Sequence, residues 1–118
     1  MPKPAFALAI GLACALLTLA AFTPASAQES LRPVLLSLIA DAQKGVCGRQ
    51  LAPLVASSCQ QQIGGLSKRL QSMGAPQAAT FQGVDKQGSV FLVRFERGSM
   101  TWLIAQNPSG QVTVFWTP

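Results

Sequence analysis

Apolar residues open this chain as one unbroken block and afterwards recur at two different spacings. From Ala5 to Phe22 no residue is charged, and Ala and Leu dominate. Lys3 supplies a charge before the block, Pro24 breaks it, and Ala25-Ser26-Ala27 places small residues at both key positions of an Ala-x-Ala site. A charged start, an apolar middle and a small-residue exit make a secretory signal, with cleavage expected after Ala27. The block sits at the lower limit of roughly 18 residues for a membrane span. The Pro and the cleavage site therefore argue for removal, and no stable span is expected afterwards. Residues 1–27 read as a signal peptide and 28–118 as one small domain.

The first spacing after the signal is helical. Leu31, Val34, Leu35, Leu38, Ile39 and Ala42 form one stripe. Ser30 can cap this helix, Pro33 falls in its first turn, and Gly45 ends it after Lys44. A short apolar piece, Leu51 to Ala56, predicts a brief helix. Ser58, with Gln61 three residues on, predicts the start of a further one. Its stripe is Cys59, Ile63, Leu66, Leu70 and Met73. Gly64 and Gly65 weaken it by about 1 kcal/mol each relative to Ala, and Gly74 stops it.

The second spacing is that of strands. Four segments follow Pro76, at about 79–84, 89–97, 99–106 and 111–117, separated by Asp85-Lys86-Gln87-Gly88, Arg97-Gly98 and Asn107-Pro108-Ser109-Gly110. Outer loops of three residues ending in Gly and a middle loop of two give the faces. Phe81, Phe91, Val93, Phe95, Met100, Trp102, Ile104, Val112, Val114 and Trp116 then share one face, with Trp102 opposite Trp116. The other face carries Thr80, Gln82, Val84, Val90, Leu92, Arg94, Glu96, Thr101, Leu103, Ala105, Thr113 and Phe115, with Arg94 facing Thr101. The predicted class is α+β, two or three N-terminal helices packed on a four-stranded antiparallel sheet.

Charge and cysteine content narrow the setting. Eight basic residues face four acidic ones after Ala27, a net charge of +4, and the basic residues are scattered. A nucleic-acid site would show a basic patch, so no nucleic acid is expected. Cys47 and Cys59 remain, and a lone pair in an exported protein is expected to form a disulfide, worth roughly 2–3 kcal/mol. The chain has no His and no Tyr, which removes Ser-His and Cys-His catalysis and leaves too few ligands for a closed zinc site. No Ser-x-x-Lys set of a serine hydrolase occurs after the signal. No metal, no cofactor and no catalytic residue is expected.

Gly74-Ala75-Pro76, Phe81-x-Gly83, Phe91-x-Val93-x-Phe95, Gly98, Trp102-x-Ile104, Gly110 and the terminal Trp-x-Pro at 116–118 occur in order. This pattern resembles small nuclear-transport-factor-like (cystatin-like) domains of exported bacterial proteins, some of which are appended to β-lactamase-like serine hydrolases. The resemblance covers 74–118 and, loosely, the helix before it. It implies a curved sheet wrapped over helices as a cone, used as a pocket, an active site or a dimerisation platform. Phe91 stands where a Tyr is common in that family.

Two functions are expected. In the first, the domain is a non-catalytic interaction module in the periplasm or the medium, and the signal with the resemblance suits a Gram-negative periplasm. It homodimerises or docks on another exported protein through the mixed sheet face, with Val90, Leu92, Arg94, Leu103 and Phe115 as contacts. In the alternative, the cone interior carries a small apolar ligand against Phe91, Trp102 and Trp116.

Overall fold

The computed structural model describes residues 29–118, and the expected signal and its cleavage site lie outside them. Leu31–Pro118 forms one compact unit. Two helices precede an antiparallel sheet of four strands in the order β1-β2-β3-β4, so the α+β reading holds.

Residues 29–43 are helical (α1), and the predicted stripe is the buried one: Leu31, Leu35, Leu38, Ile39 and Ala42 enter the core. Gly45, at φ 82°, turns the chain into the left-handed region. Gly45 N–H then donates to the Ala42 carbonyl at 3.0 Å and Val46 N–H to the Asp41 carbonyl at 3.0 Å, a Schellman ending that satisfies two terminal carbonyls.

The next helix is a single one, α2, Pro53–Met73. This corrects the expected brief helix and separate Ser58 start. Ala52 occupies the N-cap and Pro53 the first turn, where a missing N–H costs nothing. Ser58 lies inside the helix and accepts from the Gln62 amide at 3.4 Å. Gly64 and Gly65 are carried within it, because burial of Leu70 and half-burial of Cys59, Ile63 and Leu66 outweigh their low propensity.

Gln43 joins the two helix ends. Its carbonyl accepts from Ser67 Oγ at 3.0 Å and from the Gln71 amide at 2.8 Å. Its own amide donates to the carbonyl of Leu70 at 3.0 Å and to that of Gly74. Each helix thus satisfies carbonyls that the other leaves open. Arg97, in the β2–β3 turn, adds a cation at the end of α2, donating to the carbonyls of Ser72 (2.8 Å) and Gln71 (3.2 Å).

The strands are β1 Pro76–Val84, β2 Ser89–Phe95, β3 Gly98–Gln106 and β4 Val112–Trp116. The middle turn is Glu96-Arg97 and not Arg97-Gly98, because Phe95 pairs with Gly98. The register therefore slides by two residues. The faces survive, but Arg94 lies opposite Ser99 and not Thr101. Two bulges change more. One between Phe81 and Gly83 lets Phe81 pair with Phe91 while Val84 pairs with Ser89. Val84 leaves the face assigned to it and is 69% exposed. The other bulge absorbs Thr113, so that Val114, Phe115 and Trp116 pair with Ala105, Ile104 and Leu103. One extra residue swaps the faces of everything beyond it. Phe115 turns inward and Trp116 outward, and the expected Trp102–Trp116 pair does not form.

The core lies between the helices and the inner sheet face. Leu35, Leu38, Ile39, Leu70, Phe91, Val93, Phe95, Trp102, Ile104 and Val112 are its most buried large side chains. The loop between β1 and β2 presses on the sheet: a Cβ on Gly88 would stand 2.7 Å from the Ile104 carbonyl, which accounts for a glycine there.

Candidate functional site

α2 and β4 leave from one point. Ala52 N–H donates to the Val112 carbonyl at 2.8 Å, and Val112 N–H donates to the Gln50 carbonyl at 2.7 Å. Leu51 thereby makes one parallel bridge to the first residue of β4. Pro53 then turns the chain into α2, so the rest of the β4 edge gains no fifth strand from this segment. A groove of about 800 Å³ opens between helix and strand. Its size falls within the range of roughly 300–1,000 Å³ that small-molecule sites occupy.

The helix wall carries Leu54, Ser58, Gln62, Gly65 and Arg69, with Val55, Cys59 and Leu66 beside them. These positions recur every three or four residues, which places them on one side of α2. The strand wall is Thr113 to Thr117, and Trp102 reaches the groove from β3. Phe115 stacks on Trp102 with ring centres 4.9 Å apart and planes at 20°. Trp116 is 43% exposed, and its Nε1 donates to Gln87 Oε1 at 2.9 Å, which ties the β1–β2 loop to the rim. Trp102 itself is 1% exposed, and its Nε1 is buried without an acceptor among the described residues.

A disulfide joins Cys47 to Cys59 as expected. Cys59 stands in the groove wall, and Cys47 lies in the connector that leads to the Leu51 bridge. The bond fastens that connector to α2 beside the opening.

The predicted site residues separate. Val90, Leu92, Arg94 and Leu103 do share the outer sheet face. Phe115 does not join them, since it lies inside against Trp102. Leu103 is 5% exposed, flanked by Val90 and Trp116 on the neighbouring strands, so Leu92 at 38% is the apolar residue of this set most open to solvent. Of the expected ligand set, Trp102 and Trp116 line the groove, whereas Phe91 is fully buried in the core, edge-on to Phe81 at 5.7 Å. Phe115, Leu66 and Arg69 are among the lining residues that sequence reasoning did not assign to a ligand. The exposed stripe Leu54, Ser58, Gln62, Arg69 was the available signal, but it names no wall until β4 is placed opposite.

Chemically the groove offers aromatic and aliphatic surface, hydroxyls, amides and one guanidinium. Among the described residues, no carboxylate, histidine or free thiol lines it. These groups can hold and orient a molecule. Among the described residues no three His, Cys, Asp or Glu side chains gather to bind a metal ion, and no helix is long and apolar enough to cross a membrane. No protein-family profile, curated protein or solved structure matches the chain.

Proposed function

We propose that this is a non-catalytic binding domain of an exported protein, holding an apolar small molecule in the groove between α2 and β4. The groove itself carries the reading: it is large and partly aromatic, with aliphatic and aromatic side chains set between six polar ones on its walls. The disulfide suits the oxidising compartment that export to the periplasm or medium implies. Relative to the ligand set expected from sequence, Phe115 takes the place of Phe91.

Adjacent glycines give a test that separates binding from folding. Gly64 and Gly65 both have open space where a Cβ would stand, but only Gly65 lines the groove. Leucine at either position raises helix propensity by about 1 kcal/mol. Titration with the neutral dye Nile red should show one saturable site in the native protein and in Gly64→Leu. Gly65→Leu, which projects into the groove, should bind at least about ten-fold more weakly while melting no lower, the loss expected when about 1.4 kcal/mol of contact is blocked. Equal binding by the two variants, or no saturable site at all, would remove the proposal.

Docking through the sheet face is the second reading, favoured by the exposure of Leu92 beside half-buried Val90. A Leu92→Lys protein should then lose its dimer or partner in native mass spectrometry while keeping its thermal midpoint. An assembly that survives this change excludes the face as the contact.

A further inference from the structure

One charged side chain stands in the groove wall. Arg69 lines the groove, and its guanidinium makes no hydrogen bond or ion pair among the described residues; only its backbone carbonyl is engaged, accepting from Ser72 Oγ at 2.7 Å. None of the four acidic residues lines the groove, so no protein carboxylate there competes for it. The positions from Leu54 to Arg69 extend for about 22 Å at the rise of a helix, with Leu54, Val55 and Leu66 on the way and Trp116 and Phe115 opposite. An elongated track of aliphatic and aromatic side chains, interrupted on the helix by Ser58 and Gln62 and carrying one unpaired guanidinium, is complementary to a molecule with a long apolar body and a single anionic group. We infer that the groove binds amphipathic monoanions of the fatty-acid type, the carboxylate held by Arg69 and the chain lying along α2 towards Leu54.

This rests on the groove reading above and adds to it. A guanidinium can engage a carboxylate through two parallel N–H donors, a geometry that an alcohol cannot match. Arg69 is exposed, so its contribution is screened by salt.

The test uses displacement of Nile red by dodecanoate and by 1-dodecanol, below their aggregation limits, from the disulfide-bonded native protein and from Arg69→Gln. In the native protein dodecanoate should displace the dye at roughly five- to ten-fold lower concentration than dodecanol, the range of a partly screened charge-assisted bond. In Arg69→Gln that preference should disappear, read as the ratio of acid to alcohol on the same variant so that any change in the dye's own affinity cancels. Raising the salt to 1 M should shrink the preference in the native protein alone. Equal displacement by acid and alcohol in the native protein overturns the inference and leaves the groove standing. A preference that persists in Arg69→Gln also overturns it, since another group must then hold the anion. Failure of Nile red to bind the native protein removes the groove and this inference together.

Discussion

Changing Trp102 to alanine should cost this domain about 3–5 kcal/mol, the usual price of emptying a buried Trp or Phe site. A domain of this size has roughly 5–13 kcal/mol in total, so much of the margin disappears with one side chain. The size of the effect follows from position. Trp102 is 1% exposed, pairs with Phe91 across β2–β3 and stacks on Phe115 of β4, so its ring links three strands. Urea unfolding followed by circular dichroism should show the midpoint fall steeply. A loss under about 1 kcal/mol would mean that the ring is not the keystone described, because emptying a filled Trp or Phe site costs about 3–5 kcal/mol. Trp102→Phe separates two opposing contributions. It leaves a smaller void, which destabilises, but it also removes a buried N–H that has no acceptor among the described residues, which stabilises by about 1–3 kcal/mol. The two offset each other, and the expected net cost is about 1 kcal/mol or less.

Removing the disulfide should have the next largest effect. Cys47 and Cys59 are separated by 12 residues, and closing a loop of that size restricts the unfolded chain by about 3 kcal/mol on the entropy model. For a domain under a hundred residues this converts to a fall in melting temperature on the order of 15 °C. Reduction, or replacement of both cysteines by alanine, should show it by calorimetry. A change of less than about 3 °C would place the two cysteines already close together in the unfolded ensemble, and the entropy account would fail here. The connector from Lys44 to Ala52 should loosen first. Among the described residues it has no strand partner beyond the bridge at Leu51, whereas each of β1–β4 is paired along most of its length within the sheet.

Much of this architecture was legible in the sequence, and what escaped it has a physical cause. The stripe Leu31 to Ala42 and the alternation Phe91-Val93-Phe95 were readable because each repeats its period often enough to fix a face. The bulge at Thr113 was not, since nothing in Gln111-Val112-Thr113-Val114 distinguishes a regular strand from one with an extra residue. That one residue decided which of Phe115 and Trp116 faced the core. The bulge near Gly83 did carry a sign, a glycine inside a strand pattern at φ 149°. Ser58 looked like a helix start because its hydroxyl could cap one, but the chain had already become helical at Pro53. The groove was the least legible feature. It depends on where α2 lies relative to β4, which the Leu51 bridge, the disulfide, the Gln43 bonds and the burial of Leu70 fix together and no local pattern announces.

The exchange of bonds through Gln43 has a dynamic consequence. A helix end ordinarily frays alone, since its last carbonyls turn to water without disturbing anything else. Here the last turn of α1 cannot open without releasing Ser67 and Gln71 of α2, and the Leu70 and Gly74 carbonyls lose their amide in the same event. The two ends therefore breathe as one unit, and the β2–β3 turn, held to α2 by Arg97, is drawn into the same opening.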